Sequence, residues 1–207
     1  LNILALATKY KIRRMVFSSS SSVYGNQTVF PLKEDMKVDQ LSPYALQKWA
    51  AEKYCRFLSG VGDCPATVSL RYFNVYGPRQ SDGDAYATVI GIFLKNAREG
   101  RISVIHGDGE QSRAFTHVAD VVRANILAAD STKVIGGEVI NIGSVKSYTL
   151  NQLAAMIGGS YEYGPSRKGD VRHSSADIAK AKELLGWQPA IDLSEGIAEI
   201  KKLYGLA

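Results

Sequence analysis

The 207-residue chain has only two cysteines, Cys55 and Cys64, and three histidines, His106, His117 and His173. Neither set has the spacing of a metal-ligand motif, so no metal site is expected. Two isolated thiols read as reduced cysteines of a cytosolic protein, not as a disulfide framework. No apolar run approaches the roughly 20 residues needed to span a bilayer. No secretory signal is visible. The expected location is therefore cytoplasmic, with no membrane partner. There is no internal repeat, and the serine run at 18–22 is too short for a linker. Lys and Arg exceed Asp and Glu by 25 to 20. The basic residues are dispersed, however, and no aromatic-interleaved basic stripe exists, so nucleic acid is not an expected partner. A phosphorylated small molecule would use the same charge.

What is present is an ordinary globular composition, 45% hydrophobic and 22% charged, long enough to bury a sizeable core. Short apolar runs at 14–19, 66–72, 102–105 and 138–143 read as buried strands. Between them lie helical patterns: an opening helix over 1–10, then 43–58, one through 90–94, 118–129, 150–157, 176–185 and 194–204. Ser42 suits an N-cap and Pro43 the first helical position. Strands alternating with helices predict an α/β fold with a mainly parallel sheet, whose ligands sit beyond the C-terminal strand ends. Those ends are residues 18–22, residues 72–74 and the loop around Arg113.

One pair stands out. Tyr44 and Lys48, four apart in Ser42-Pro43-Tyr44-Ala45-Leu46-Gln47-Lys48, project from one helix face. A nearby ammonium favours phenolate over phenol, which makes Tyr44 a candidate base toward an alcohol hydroxyl. The serine run upstream can bring a hydroxyl to the same place.

Further motifs follow in order: Ser-Ser-Ser-x-x-Val-Tyr-Gly at 18–25, Leu-Arg-Tyr-Phe-Asn-Val-Tyr-Gly-Pro-Arg-Gln at 70–80, Gly-Asp-Gly-Glu-Gln-x-Arg at 107–113, Val-x-Asp at 118–120 and Arg-x-Gly-Asp-Val-Arg at 167–172. Together with the Tyr44 motif they resemble the extended short-chain dehydrogenase/reductases, specifically NAD-dependent nucleotide-sugar 4-epimerases. The resemblance implies the C-terminal half of a Rossmann-like doubly wound sheet over 1–75 and about 102–145. It also implies a smaller mixed α/β substrate-binding part over 76–101 and 146–207.

The same resemblance implies NAD as cofactor, a UDP-sugar substrate and a homodimer formed through the helix at 43–58 and the one before it. It implies that Tyr44 deprotonates the sugar 4-hydroxyl, that Lys48 supports the phenolate and the nicotinamide ribose, and that Ser20 binds the 4-oxygen. Ser18, Tyr72 and Phe73 would border the cofactor, and Ser22 the sugar. Asn74, Arg113, Arg167 and Asp170 would hold the nucleotide-sugar, with the two arginines on the diphosphate. Ser174 stands where members restricted to UDP-glucose and UDP-galactose carry a bulky tyrosine. Together with Gln80 it implies room for a 2-acetamido group. Ser21-Ser22 lacks the carboxylates of the related dehydratases and decarboxylases, which disfavours those alternatives.

One departure is large. The family's Gly-x-x-Gly-x-x-Gly segment for the NAD pyrophosphate is absent from these residues, which would leave the strand at 14–19 without its inner neighbour. A catalytically silent chain that binds nucleotide-sugar or a partner is the alternative. Asp120, His117, Trp49 and Trp187 are expected to be structural.

Overall fold

The structure, a computed structural model, describes residues 1–81, 87–166 and 172–206. Helix α1 is Asn2–Lys9, followed by β1 (Arg14–Ser20), a 3₁₀ turn (Ser21–Tyr24), α2 (Pro43–Leu58), β2 (Ala66–Tyr72) and β3 (Val75–Tyr76). Next come α3 (Val89–Arg98), β4 (Ser103–His106), β5 (Ser112–Arg113), β6 (Thr116–His117), α4 (Val118–Asp130) and β7 (Glu138–Ile142). The chain ends through β8 (Tyr148–Thr149), α5 (Leu150–Ile157), β9 (Tyr161–Gly164), α6 (Ala179–Leu185) and α7 (Leu193–Leu203). The long elements match the sequence expectation. The two-residue strands and the 3₁₀ turn carry no periodic pattern and were not expected.

The central sheet is parallel, in the order β1-β2-β7. Alternation along β2 decides what each face carries. Val68 and Leu70 share a core with Val121, Ala124 and Ala128 of α4. Thr67 and Arg71, on the other face, bond α2 through the Cys55 carbonyl and Glu52. Helices α2 and α4 therefore sandwich the sheet. Arg14 ties the start of β1 to α4: its guanidinium donates to the carbonyls of Ala128, at 3.1 Å, and Ser131. A cation there also complements the helix dipole. Trp187 is fully buried in this core and Trp49 packs against it.

A second core gathers Phe93 and Leu94 of α3, Leu153 and Ile157 of α5, and Ile197 and Ile200 of α7. Capping boxes start α5 at Thr149 and α7 at Asp192. Asp120 joins the two regions. Its buried carboxylate accepts from Ala190 N at 3.0 Å and Ile191 N at 3.1 Å, while its own carbonyl takes the Trp187 indole N–H at 2.9 Å. It steadies the segment before α7, a structural role. Cys55 and Cys64 are both free. Among the described residues no helix is long and apolar enough to cross a membrane.

Candidate active site at the C-terminal strand ends

Helix α2 opens as its sequence dictates: Ser42 Oγ accepts from Ala45 N at 3.1 Å, with Pro43 in the first turn. That fixes Tyr44 at the helix start, 51% exposed, with Lys48 one turn on. Lys48 Nζ donates to the Ser18 carbonyl at 2.8 Å and sits 5.6 Å from the Tyr44 ring centroid. The ammonium thus bridges the phenol-bearing helix and the end of β1. Its second ring neighbour is Phe17, at 5.3 Å.

At that strand end the chain turns sharply. Ser20 Oγ accepts from Ser22 N at 3.2 Å and so caps the 3₁₀ turn. Gly25 closes the turn at φ 62°, where an added Cβ would lie 1.9 Å from the Asp39 carbonyl oxygen. Ser22 Oγ is buried without a hydrogen-bond partner. Asn125 Nδ2 donates to the Val121 carbonyl at 2.8 Å, so its Oδ1 is the acceptor for Tyr72 Oη at 2.9 Å. The 3.1 Å contact between Ser18 Oγ and Tyr72 Oη is then donated by the serine.

Ser20, Ser22, Tyr44, Tyr72, Asn74, Arg113 and Ser174 line one cavity of about 630 Å³. These seven residues come from five separate segments of the chain. Ser174 is only 8% exposed, because its backbone bonds Ser112 and Ala114 on either side. Asn74, at φ 39°, donates from Nδ2 to the Ala114 carbonyl at 2.9 Å. Arg113 donates to the Ser112 carbonyl at 3.0 Å. Asn74 and Arg113 also line a second cavity of about 560 Å³, walled by apolar Val89, Ile92, Phe93 and Val104 with Gln111 among them. The two cavities meet at Arg113.

Three candidates fall elsewhere. Phe73 is fully buried beside Tyr24 in the core, since the residue after cavity-facing Tyr72 points the other way; its ring does not reach the cavity. Gln80 lines neither cavity; its Oε1 accepts from Thr88 at 3.4 Å and its Nε2 is buried without a partner. Ser18 contributes its carbonyl to Lys48 but no cavity surface. Arg167 and Asp170 lie outside the described residues.

Several cavity residues carried no signal in the sequence. Phe30, Leu32 and Leu41 come from what read only as a polar loop, and His173 precedes Ser174 in an irregular stretch. Leu32 reaches the cavity because its N–H and C=O bond Ser175 and Asp177, both at 2.9 Å.

Beneath the site a polar row crosses the sheet. Ser19, Arg71 and Asn141 are aligned by the register, one from each strand. Glu52 of α2 accepts from Ser19 Oγ at 2.5 Å and from Arg71 Nε and Nη2 at 2.9 and 2.7 Å. Arg71 lies 4.6 Å from the centroid of the Tyr24 ring, whose hydroxyl donates to Asn141 Oδ1 at 2.7 Å. Burial pushes Tyr24 up to about 12. Burial also opposes the Arg71 charge, but the Glu52 hydrogen bonds and the electrostatic pull of Tyr24 and Glu52 outweigh it and raise Arg71 above its ordinary value. His117 is packed away, 3% exposed. Its Nδ1 accepts from Ala119 N at 3.3 Å, and Nε2 lies 3.3 Å from Glu199 Oε2 without hydrogen-bond alignment.

The chain is 38% identical over 207 residues to a putative UDP-glucose 4-epimerase of Methanocaldococcus jannaschii, covering 97% of this chain and 66% of that one. Among solved structures, the UDP-N-acetylglucosamine 4-epimerase of Methanobrevibacter ruminantium, in complex with UDP-N-acetylmuramic acid, superposes with a TM-score of 0.90 at 37% identity. The match covers 98% of this chain and 66% of that one. The UDP-glucose 4-epimerase of Thermotoga maritima, solved with UDP-glucose, gives 0.87 at 39% identity, over 97% and 67%. The chain thus spans 61 to 66% of the length of such curated relatives. Residues 1–143 match the family model described as NAD dependent epimerase/dehydratase. With the Tyr44–Lys48 pair, the serine end of β1 and the parallel sheet in their expected mutual places, the chain belongs to the NAD dependent epimerase/dehydratase family.

Proposed function

We propose that this chain supplies the catalytic and nucleotide-sugar-binding surfaces of a UDP-hexose 4-epimerase. The observation that carries the reading is the meeting of Tyr44, Ser20 and Arg113 on one cavity wall, continuous through Arg113 with a second, apolar-walled cavity. A hexose would occupy the first cavity, its diphosphate would lie at Asn74 and Arg113, and the nucleoside would fill the second. Arg113 gives charge-assisted bonds to phosphoryl oxygens. Arg167 and Asp170 complete the same proposal from outside the described residues.

In the reaction, Tyr44 Oη takes the proton of the sugar 4-hydroxyl, stabilised as phenolate by the adjacent Lys48 ammonium. Ser20 Oγ donates to the 4-oxygen as it becomes a carbonyl, and Ser22 lines the sugar beside it. The ketosugar then turns in the cavity and Tyr44 returns the proton. Tyr44 and Lys48 would hold NAD at its nicotinamide-ribose end, and NAD would supply the hydride chemistry at C4. The residues present fit the nicotinamide-ribose end, where Lys48 already spans Tyr44 and β1. The alternative reading is a chain that binds nucleotide-sugar without turning it over.

Incubating the protein with NAD and UDP-glucose or UDP-N-acetylglucosamine, and resolving the 4-epimers chromatographically, tests the first reading. Assaying NAD released on denaturation accompanies it. Epimer formation lost in Tyr44→Phe supports the proposal; bound UDP-sugar with no epimer and no NAD supports the second reading. Small Ser174 leaves room for a 2-acetamido group, and Ser174→Tyr should lower turnover of the acetylated substrate relative to the plain one. An unchanged ratio rejects that assignment. The outer faces of α1 and α2, with Ile3, Leu6, Tyr54 and Phe57 all exposed, are proposed as the contact of a homodimer.

A further inference from the structure

We propose that Ser19 is a positioning residue of this site: its bond to Glu52 sets the spacing between Tyr44 and Ser20, the two groups that would grip the sugar 4-oxygen. The inference rests on the nucleotide-sugar reading above and deepens it by naming what fixes the geometry at the reacting end of the sugar.

Helix α2 presents Tyr44, Lys48 and Glu52 at four-residue intervals, along one face. Two of the three reach the end of β1. Lys48 Nζ donates to the Ser18 carbonyl at 2.8 Å, and Glu52 accepts from Ser19 Oγ at 2.5 Å. Tyr44 lies one helical turn beyond Lys48, and Ser20 one residue beyond Ser19. A single tie would let the helix pivot over the strand. Two ties, at successive strand residues and successive helical turns, hold it in register, and the spacing of Tyr44 from Ser20 follows from both.

Ser19 acts through this bond and not by touching a ligand. Strand alternation turns its side chain away from that of Ser18, whose Oγ meets Tyr72 Oη on the opposite face. Ser19 borders the cavity but is only 2% exposed. A serine hydroxyl has one proton, and Ser19 gives it to Glu52, so none is left for a sugar. The acceptor is itself fixed: Arg71 Nε and Nη2 hold the two Glu52 oxygens at 2.9 and 2.7 Å, and Arg71 stands beside Ser19 in the strand register. A carboxylate acceptor makes the bond short and strong. A displacement of about 1 Å between reacting groups can cost about a hundredfold in rate.

Calorimetric titration of the chain with UDP, UDP-glucose and UDP-4-deoxyglucose tests this without requiring turnover. The unmodified chain should bind UDP-glucose about fivefold tighter than the 4-deoxy sugar, the scale of one hydrogen bond. Ser19→Ala should shrink that gap to within about twofold while changing UDP affinity by less than about twofold. Ser19→Cys, close in shape and with a weak S–H donor, should recover part of the gap. In a Ser20→Ala background, Ser19→Ala should narrow it no further, because the two residues act on the same contact. Where epimer forms, kcat should fall about tenfold in Ser19→Ala, with a smaller change in KM. Melting temperatures of the variants report whether they remain folded. A gap that survives Ser19→Ala, a gap absent from the unmodified chain, or an equal loss of affinity for all three ligands overturns the inference, while UDP binding by the unmodified chain leaves the nucleotide-sugar reading standing. No binding of UDP removes both.

Discussion

Glu52 and Arg71 form an ion pair whose side chains are 3% and 5% exposed, and such a pair behaves differently from one at the surface. Desolvation offsets most of what the attraction provides, so the intact pair adds little net stability, yet removing one partner strands a charge. Glu52→Gln should therefore destabilise the protein by about 3–5 kcal/mol. Ser19→Ala, which removes one hydrogen bond and leaves the pair intact, should cost about 1 kcal/mol. Urea denaturation of the two variants separates these cases, and similar midpoints would contradict the stranded-charge account.

The Tyr44–Lys48 pair was legible in the sequence because its geometry is local: a cap, a proline and a four-residue spacing suffice. His173 and Phe30 were not, because their place depends on backbone pairing between irregular segments far apart in sequence. Phe73 lies off this cavity for a simpler reason. Strand alternation was available in the sequence, and it places Phe73 opposite Tyr72, away from the cavity.

At the level of elements, α4 begins without the usual Ser, Thr, Asp or Asn. His117 takes that position and its Nδ1 accepts the Ala119 N–H. A ring nitrogen that accepts carries no proton, so the imidazole proton sits on Nε2, toward Glu199. Replacing His117 with Ala should cost about 1 kcal/mol from the lost cap alone, and His117→Asn should restore part of it. Equal denaturation midpoints for the two variants would exclude the capping role. Asp120, one helical turn away, receives the backbone N–H groups of Ala190 and Ile191 and an Arg123 bond at 2.7 Å. Asp120→Ala leaves those buried donors unmatched, a penalty of about 1–3 kcal/mol for each. Hydrogen exchange should then accelerate first at residues 186–192, and uniform acceleration would argue against a local anchor. The long helices and strands were readable from apolar periodicity. The two-residue strands were not, since they exist only as pairings such as Val75 with Thr116.

For the molecule as a whole, acid should be destabilising within a defined window. Asp108 is held down to about 2 by its hydrogen bonds from Arg172 and Glu110 N. Asp192 is lowered further, first by Lys146 and then by Ser194 and Tyr148, against the opposing effect of burial. A carboxylate whose folded value lies below the unfolded value near 3.9 contributes stability above that value and loses it as pH falls through the folded one. Glu34 acts in the opposite sense, because burial raises it and its protonated form favours the folded state. Melting temperature should fall between about pH 4 and pH 2, less steeply in Arg172→Gln. An equal fall in that variant would remove the Arg172–Asp108 pair from the explanation. In the proposed dimer, Phe57→Asp should convert the sedimenting species to a monomer, and an unchanged mass would place the contact elsewhere.

The polar row has one further consequence, for how the proposed site is assembled as the protein folds. Its members are contributed by β1, β2, β7 and α2, and Tyr24 and Asn141 are 117 positions apart in the chain. No contiguous stretch can assemble it, and a strand slipped by one residue would turn its whole set of side chains to the other face. The Ser18–Ser20 end of β1 therefore reaches its working position only when β7 has docked in register. Chains arrested before that step would hold all the side chains of the proposed site and still lack their alignment, so the proposed activity should return on refolding together with the last tertiary signal and not with the first helical one.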